Sequence, residues 1–156
     1  AIDDEMTDRI ARHQESRPAS WQTVESRREL GTSISQLTPV PKVILLDCLT
    51  IWISNILLDA GETPFAEIER QMREEIDQFL DVVKTRDVSV IVVAGEVGMG
   101  VVPDSLLGRQ FRDLHGWANQ VLVNAASNSY LMIAGRAVNL DSISKPVEEC
   151  VRECQL

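Results

Sequence analysis

The chain has 156 residues, 44% apolar and 25% charged, a balance that suits one globular domain with a buried core and excludes a disordered tail. Fifteen basic against twenty-four acidic residues give a net charge of −9, which argues against a sequence-independent nucleic-acid binder, because that class needs a basic face. No run approaches the roughly 18 apolar residues of a membrane helix, and the acidic stretch from Ala1 to Met6 has no apolar run behind it, unlike a signal peptide.

Asp3 and Asp4 are N-cap candidates for a helix to about Gln14, with Ile2, Met6, Ile10 and His13 spaced along one face. Ser16, Pro18 and Ser20 mark residues 15–21 as a loop. A second helix is expected over residues 23–37, before Pro39 and Pro41 break the chain. Val43-Ile44-Leu45-Leu46, running into Asp47, has the pattern of a strand buried on both faces. Residues 49–58 are apolar with helical spacing, closed by Asp59-Ala60-Gly61. From Phe65 to Lys84 the spacing predicts a long amphipathic helix whose inner face holds Ile68, Met72, Ile76, Phe79, Leu80 and Val83.

Residues 88–94 read as a second buried strand, 95–103 as a Gly-rich loop, and 105–127 as a helix containing Leu107, Phe111, Leu114, Val121 and Leu122. A third strand is expected at 130–134, with Gly135-Arg136 as a two-residue turn into a fourth at 137–140. Strands alternating with helices imply an α/β fold with a mainly parallel sheet, to which the final hairpin adds an antiparallel edge strand. Residues 141–156 form an extension beyond the sheet, with a terminal helix as one reading.

Three cysteines, Cys48, Cys150 and Cys154, are an odd count and suggest no disulfide framework. Cys48, at the end of an apolar run, reads as a buried thiol. Cys150 and Cys154 would share a helix face but lack further ligands for a metal. A reducing, cytoplasmic setting fits this usage.

In open α/β sheets ligands bind outside the carboxyl ends of the strands, and two strand ends draw attention here. Four apolar residues and then Asp47 match the Walker B pattern, whose carboxylate reaches Mg²⁺ or its water shell, although buried strands also end in Asp for helix capping. Gly95, Gly98 and Gly100, before Pro103, let backbone approach a ligand, or simply make a flexible loop. Arg9, Arg12, Arg17, Arg27 and Arg28 form a basic stretch that suits a small polyanion or, equally, a salt-bridged helix face. His13 continues the Met6–Ile10 stripe, which by itself favours a structural histidine; a neutral imidazole is also a competent nucleophile toward phosphorus. His115, beside Gly116 and Trp117, reads as structural. No G-x-x-x-x-G-K-[ST] phosphate cradle occurs.

An ordered set of motifs goes further: Asp3-Asp4-Glu5-Met6; Arg9-Ile10-Ala11-Arg12-His13; Arg17-Pro18-Ala19-Ser20-Trp21; Thr23-Val24-Glu25; Leu45-Leu46-Asp47-Cys48-Leu49-Thr50 with Trp52 and Asn55; Glu96-Val97-Gly98-Met99-Gly100-Val101-Val102-Pro103; Arg109-Gln110-Phe111-Arg112-Asp113; and Asn119-Gln120. Together they resemble the family of bifunctional adenosylcobinamide kinases / adenosylcobinamide-phosphate guanylyltransferases of cobalamin biosynthesis, over residues 1–140. The resemblance implies a RecA-like P-loop NTPase-type three-layer sandwich, a homotrimer, Mg²⁺, and ATP and GTP as substrates. It implies phosphorylation of the aminopropanol hydroxyl of adenosylcobinamide, then transfer of GMP from GTP through a GMP-histidine to give adenosylcobinamide-GDP. The family's histidine falls on His13, and its nucleotide contacts on Gln14, Glu15, Ser16, Arg17, Glu25 and Asp47. By position, Trp52, Gly98, Gly100 and Pro103 are candidates for the corrinoid side.

The family pattern also places a strand, a P-loop, a helix and a second strand ahead of Asp3-Asp4-Glu5-Met6, a unit of about 30 residues. The chain starts where that unit would end, so an N-terminally incomplete kinase/guanylyltransferase domain over 1–140, with an extension over 141–156, is the expectation. A non-catalytic corrinoid- or partner-binding remnant, or a P-loop small-metabolite kinase without guanylylation, are the alternatives. Gly95 stands where the family usually has Asn, which predicts a looser loop.

Overall fold

The computed structural model describes residues 4–154. Its order is α1 (Asp4–Glu15), α2 (Leu30–Ser35), β1 (Val43–Asp47), α3 (Leu49–Asp59), α4 (Phe65–Arg86), β2 (Ser89–Val93), α5 (Leu106–Ala125), β3 (Tyr130–Ile133), β4 (Arg136–Asn139) and α6 (Val147–Cys154). β1 and β2 pair in parallel, Val43 opposite Ser89 through Asp47 opposite Val93, so both strands end at the same edge. α3 and α4 lie between them in sequence, which a parallel crossover requires.

The core is helical. α3 contributes Leu49, Trp52, Ile53, Ile56 and Leu57, α4 contributes Ile68, Met72, Ile76 and Phe79, and α5 contributes Leu114 and Ala118. The α4 positions fall at steps of four, four and three, the stripe expected of a helix with one buried face, and all four are the residues predicted. Leu80 and Val83 flank them and are half-buried. On α4's outer side Glu67–Arg70–Glu74 and Glu69–Arg73 form ion pairs, and the Arg73 guanidinium lies 4.0 Å from the Trp117 ring centroid on α5.

Four expectations are corrected. First, the β1–β2 sheet is not buried on both faces. Ile44, Leu46, Val90 and Val92 pack on the helical core, whereas Val43, Leu45, Ile91 and Val93 are exposed. Helices cover one face, and side chains alternate across the pleat. Second, the hairpin does not extend that sheet: β3 and β4 form a separate antiparallel pair, Tyr130 opposite Asn139 through Ile133 opposite Arg136. Its turn residues are Ala134 and Gly135, both at positive φ (48° and 73°), one position earlier than expected. Two positive φ values are what a tight turn matched to strand twist demands.

Third, the helix expected over 23–37 shrinks to α2. Ser26 Oγ donates to the Arg28 carbonyl at 2.5 Å, and Glu29 takes a left-handed conformation (φ 54°). Glu75 on α4 holds that kink. Its Oε1 accepts from Arg28 Nη2 at 3.2 Å and its Oε2 from the Glu29 backbone N–H at 2.9 Å. Fourth, the Cys48 thiol is half-buried rather than buried; Leu107 lies in α5 as expected, 47% exposed at its start. Past β4, Asp141 accepts from Ser129 N–H (2.7 Å) and Ser129 Oγ (3.0 Å), which closes the hairpin base. The terminal helix is present as α6, with Cys150 an exposed thiol; the side chain of Cys154 lies outside the described residues.

Candidate functional site

Asp47 ends β1 and is exposed, directly beside Val93 at the end of β2. The Asp47–Cys48 peptide is cis, and α3 starts at Leu49. The carboxyl edge of the parallel pair thus presents a carboxylate on one strand and, on the other, the loop that leaves β2 at Gly95.

That loop is laced to two helices. Gly95 N–H donates to Thr50 Oγ1 (2.9 Å) in the first turn of α3. From α5, Asn119 Nδ2 donates to the Gly95 carbonyl (3.0 Å), Arg112 Nη2 to the Gly98 carbonyl (3.0 Å), and Arg109 Nη1 to the carbonyls of Pro103 (3.1 Å) and Asp104 (2.7 Å). Within the loop, Glu96 Oε1 accepts from Gly98 N–H at 2.6 Å. Ser105 caps α5, its Oγ accepting from Gly108 N–H at 3.1 Å. Arg109, Arg112, His115 and Asn119 are spaced three, three and four apart, so one face of α5 serves the loop. His115 is fully buried, and its Nε2 sits 3.0 Å from Thr50 Oγ1. Burial lowers the His115 pKa, against a weaker opposing pull from Glu96, so the ring is neutral near pH 7.

Gly95 marks a close approach between the loop and α3. A Cβ there would lie 3.1 Å from Thr50 Oγ1, so the backbone reaches the hydroxyl because no side chain intervenes. The expectation that Gly95 loosens the loop therefore meets the opposite: the peptide at 95 is bonded on both its N–H and its carbonyl side. Beyond it, Met99, Val101 and Val102 are 80%, 95% and 60% exposed, an apolar tip held out by the polar base.

The other candidates fall into separate places. Gly98 and Gly100 are exposed in the loop and Pro103 is half-buried at its far end. Trp52 is 2% exposed inside the core, away from any surface contact. α1 carries His13, whose side chain lies outside the described residues, as does that of Arg9. Gln14, Glu15 and Ser16 follow as exposed residues, Arg17 Nη1 donates to Thr23 Oγ1 (3.1 Å), and Glu25 is exposed. Among the described residues α1 belongs to none of the closely packed element pairs. The basic stretch divides likewise. Arg27 pairs with Asp59 at 2.9 Å and Arg28 with Glu75 at 3.2 Å, both structural, while Arg12 donates to the Asp8 carbonyl.

Sequence reasoning missed Thr50, Arg112 and Asn119 as loop anchors and took His115 only as structural. A findable signal existed in the polar residues that recur at helical spacing along α5. Among the described residues no group of three or more His, Cys, Asp and Glu could hold a metal alone, and no helix is long and apolar enough to cross a membrane.

Comparison with known proteins bears on this arrangement. A family model described as Cobinamide kinase / cobinamide phosphate guanyltransferase (CobU) matches residues 1–140. The chain is 37% identical over 145 residues to the bifunctional adenosylcobalamin biosynthesis protein CobU of Salmonella typhimurium, covering 89% of this chain and 80% of that protein. It is 36% identical to the Escherichia coli protein of the same name over 145 residues, with the same coverage. To the bifunctional adenosylcobalamin biosynthesis protein CobP of Pseudomonas aeruginosa it is 31% identical over 135 residues, covering 86% of this chain and 74% of that one. A match that runs from α1 through the hairpin, with both strand ends inside it, places the chain in the cobinamide kinase / cobinamide phosphate guanyltransferase family.

Proposed function

We propose that this chain carries out the guanylyl transfer of adenosylcobinamide phosphate through His13 and shares in the preceding phosphorylation of adenosylcobinamide. The observation that carries the reading is the juxtaposition of Asp47 with the anchored 95–103 loop at the carboxyl edge of a parallel strand pair, within a family match. A neutral His13 imidazole nitrogen attacks the α-phosphorus of GTP; the N–P bond forms, the bond to the β-phosphate oxygen breaks, and pyrophosphate leaves. A phosphate oxygen of adenosylcobinamide phosphate then attacks the same phosphorus, the N–P bond breaks, and adenosylcobinamide-GDP departs with the imidazole restored.

Gln14, Glu15, Ser16, Arg17 and Glu25 are assigned to the nucleotide, Arg17 as the guanidinium for phosphate oxygens. Asp47 is an exposed hard-oxygen donor, which fits Mg²⁺, an ion that takes one or two carboxylates together with phosphate oxygens and water. Mg²⁺ there would draw charge from the triphosphate. Gly98, Gly100 and Pro103 are assigned to the corrinoid side. Trp52 packs from α3 into the helical core. The resemblance further supports a RecA-like P-loop layering, a homotrimer and a cytoplasmic setting.

The test is labelling with α-labelled GTP. Acid-labile label should attach to the wild-type protein and be lost in His13→Ala. Label that persists in that variant removes His13 from the mechanism.

A further inference from the structure

Behind the loop lies a hydrogen-bond relay that the transfer chemistry does not call on. Thr50 Oγ1 accepts from Gly95 N–H and also contacts His115 Nε2. His115 is fully buried, and its Nδ1 is one of three buried side-chain polar atoms without a hydrogen-bond partner among the described residues. Counting protons orders the relay. A threonine hydroxyl has one proton to give. If it gives that proton to Nε2, only the Nδ1–H goes unpaired. If instead Nε2–H donates to Thr50, both the Thr50 proton and the Nδ1 lone pair go unpaired, and each buried unpaired group costs free energy. The first arrangement is therefore the stable one: His115 Nδ1–H tautomer, Thr50 O–H donating to Nε2, and Gly95 N–H donating to Thr50 Oγ1.

We propose that Thr50 and His115 are positioning residues, which fix the peptide leaving β2 relative to the peptide leaving β1, and so set the distance between the 95–103 loop and Asp47. Thr50 lies three residues after Asp47 and Gly95 two after Val93, the strand partner of Asp47, so one hydroxyl bridges both strand exits. Gly95 permits this bridge because a Cβ would press on the oxygen at 3.1 Å. The functional part of the inference rests on the transferase reading above, whereas the relay itself does not.

Two sets of measurements separate the two. On isotope-labelled full chain, imidazole nitrogen shifts should show His115 neutral with its proton on Nδ1; a proton on Nε2 overturns the relay. Thr50→Val keeps the shape and removes the hydroxyl, and Thr50→Ser keeps the hydroxyl. The Gly95 amide should exchange about tenfold faster in Thr50→Val, as expected for loss of one hydrogen bond, and within about twofold of wild type in Thr50→Ser. Unchanged Gly95 exchange in Thr50→Val overturns the proposal whether or not the protein is active. His115→Gln, whose side-chain oxygen can accept the Thr50 proton, should preserve Gly95 protection where His115→Phe does not. In the transfer assay, Thr50→Val should raise the KM for adenosylcobinamide phosphate several-fold while label still forms on His13. An unaltered KM with a freed Gly95 amide would show that the couple does not position the loop for reaction.

Discussion

Asp141 shows how much a single exposed carboxylate can organise. Both its oxygens accept from Ser129, and these hydrogen bonds, the backbone one foremost, hold its pKa below the ordinary 3.8. A carboxyl whose pKa falls on folding contributes stability that is fully present above its unfolded value and is lost as pH drops through the folded value. The Ser129 amide proton shift should therefore titrate with a midpoint below 3.8, and Asp141→Asn should abolish that titration. A midpoint at or above 3.8 would show that the clasp does not favour the charged form. Nothing local announces this pair, since the partners lie 12 residues apart across the hairpin. Asp47 was legible because an apolar run ending in a carboxylate is a local pattern. Thr50 was not, because its role depends on Gly95, 45 residues away.

Elements repeat that contrast between local and distant causes. α4 was readable because 22 residues with a steady apolar stripe leave little choice of structure. α2 was misjudged because its start is set by Glu75, which draws the backbone of Glu29 out of helical geometry across 46 residues of sequence. The hairpin was found but misplaced by one residue: Gly135 signals a turn, and the preceding Ala134 carries no such signal although it also takes positive φ. Alanine in that conformation is strained by its Cβ. Ala134→Asn, a residue suited to the first position of such a turn, should stabilise the protein by about 0.5–1 kcal/mol in thermal or denaturant unfolding. A loss of stability would mean that the turn relies on some other property of Ala134.

For the whole molecule, an α/β chain with parallel pairing was legible from alternating strands and helices, and the helical core followed from apolar spacing. What the sequence did not reveal was which strand faces are covered. A continuous apolar run is compatible with cover on either face or both, and only the placement of α3, α4 and α5 decides it. Leu45 and Ile91 stand opposite each other on the exposed face, 42% and 56% accessible, with Val43 and Val93 beside them. At neutral pH the net charge of −9 supplies a mutual repulsion that opposes disordered clustering of the protein. Near pH 4.7 that repulsion vanishes while the bare strip remains, and strand pairs with exposed apolar faces are natural templates for precipitation. Light scattering should therefore climb as pH is lowered from 7 toward 4.7. The double variant Leu45→Thr/Ile91→Thr, which leaves the isoelectric point unchanged and suits a strand, should stay clear over the same range. Equal turbidity in both proteins would place the sticky surface elsewhere. In colloidal terms, the charge of this protein is its protection against its own sheet.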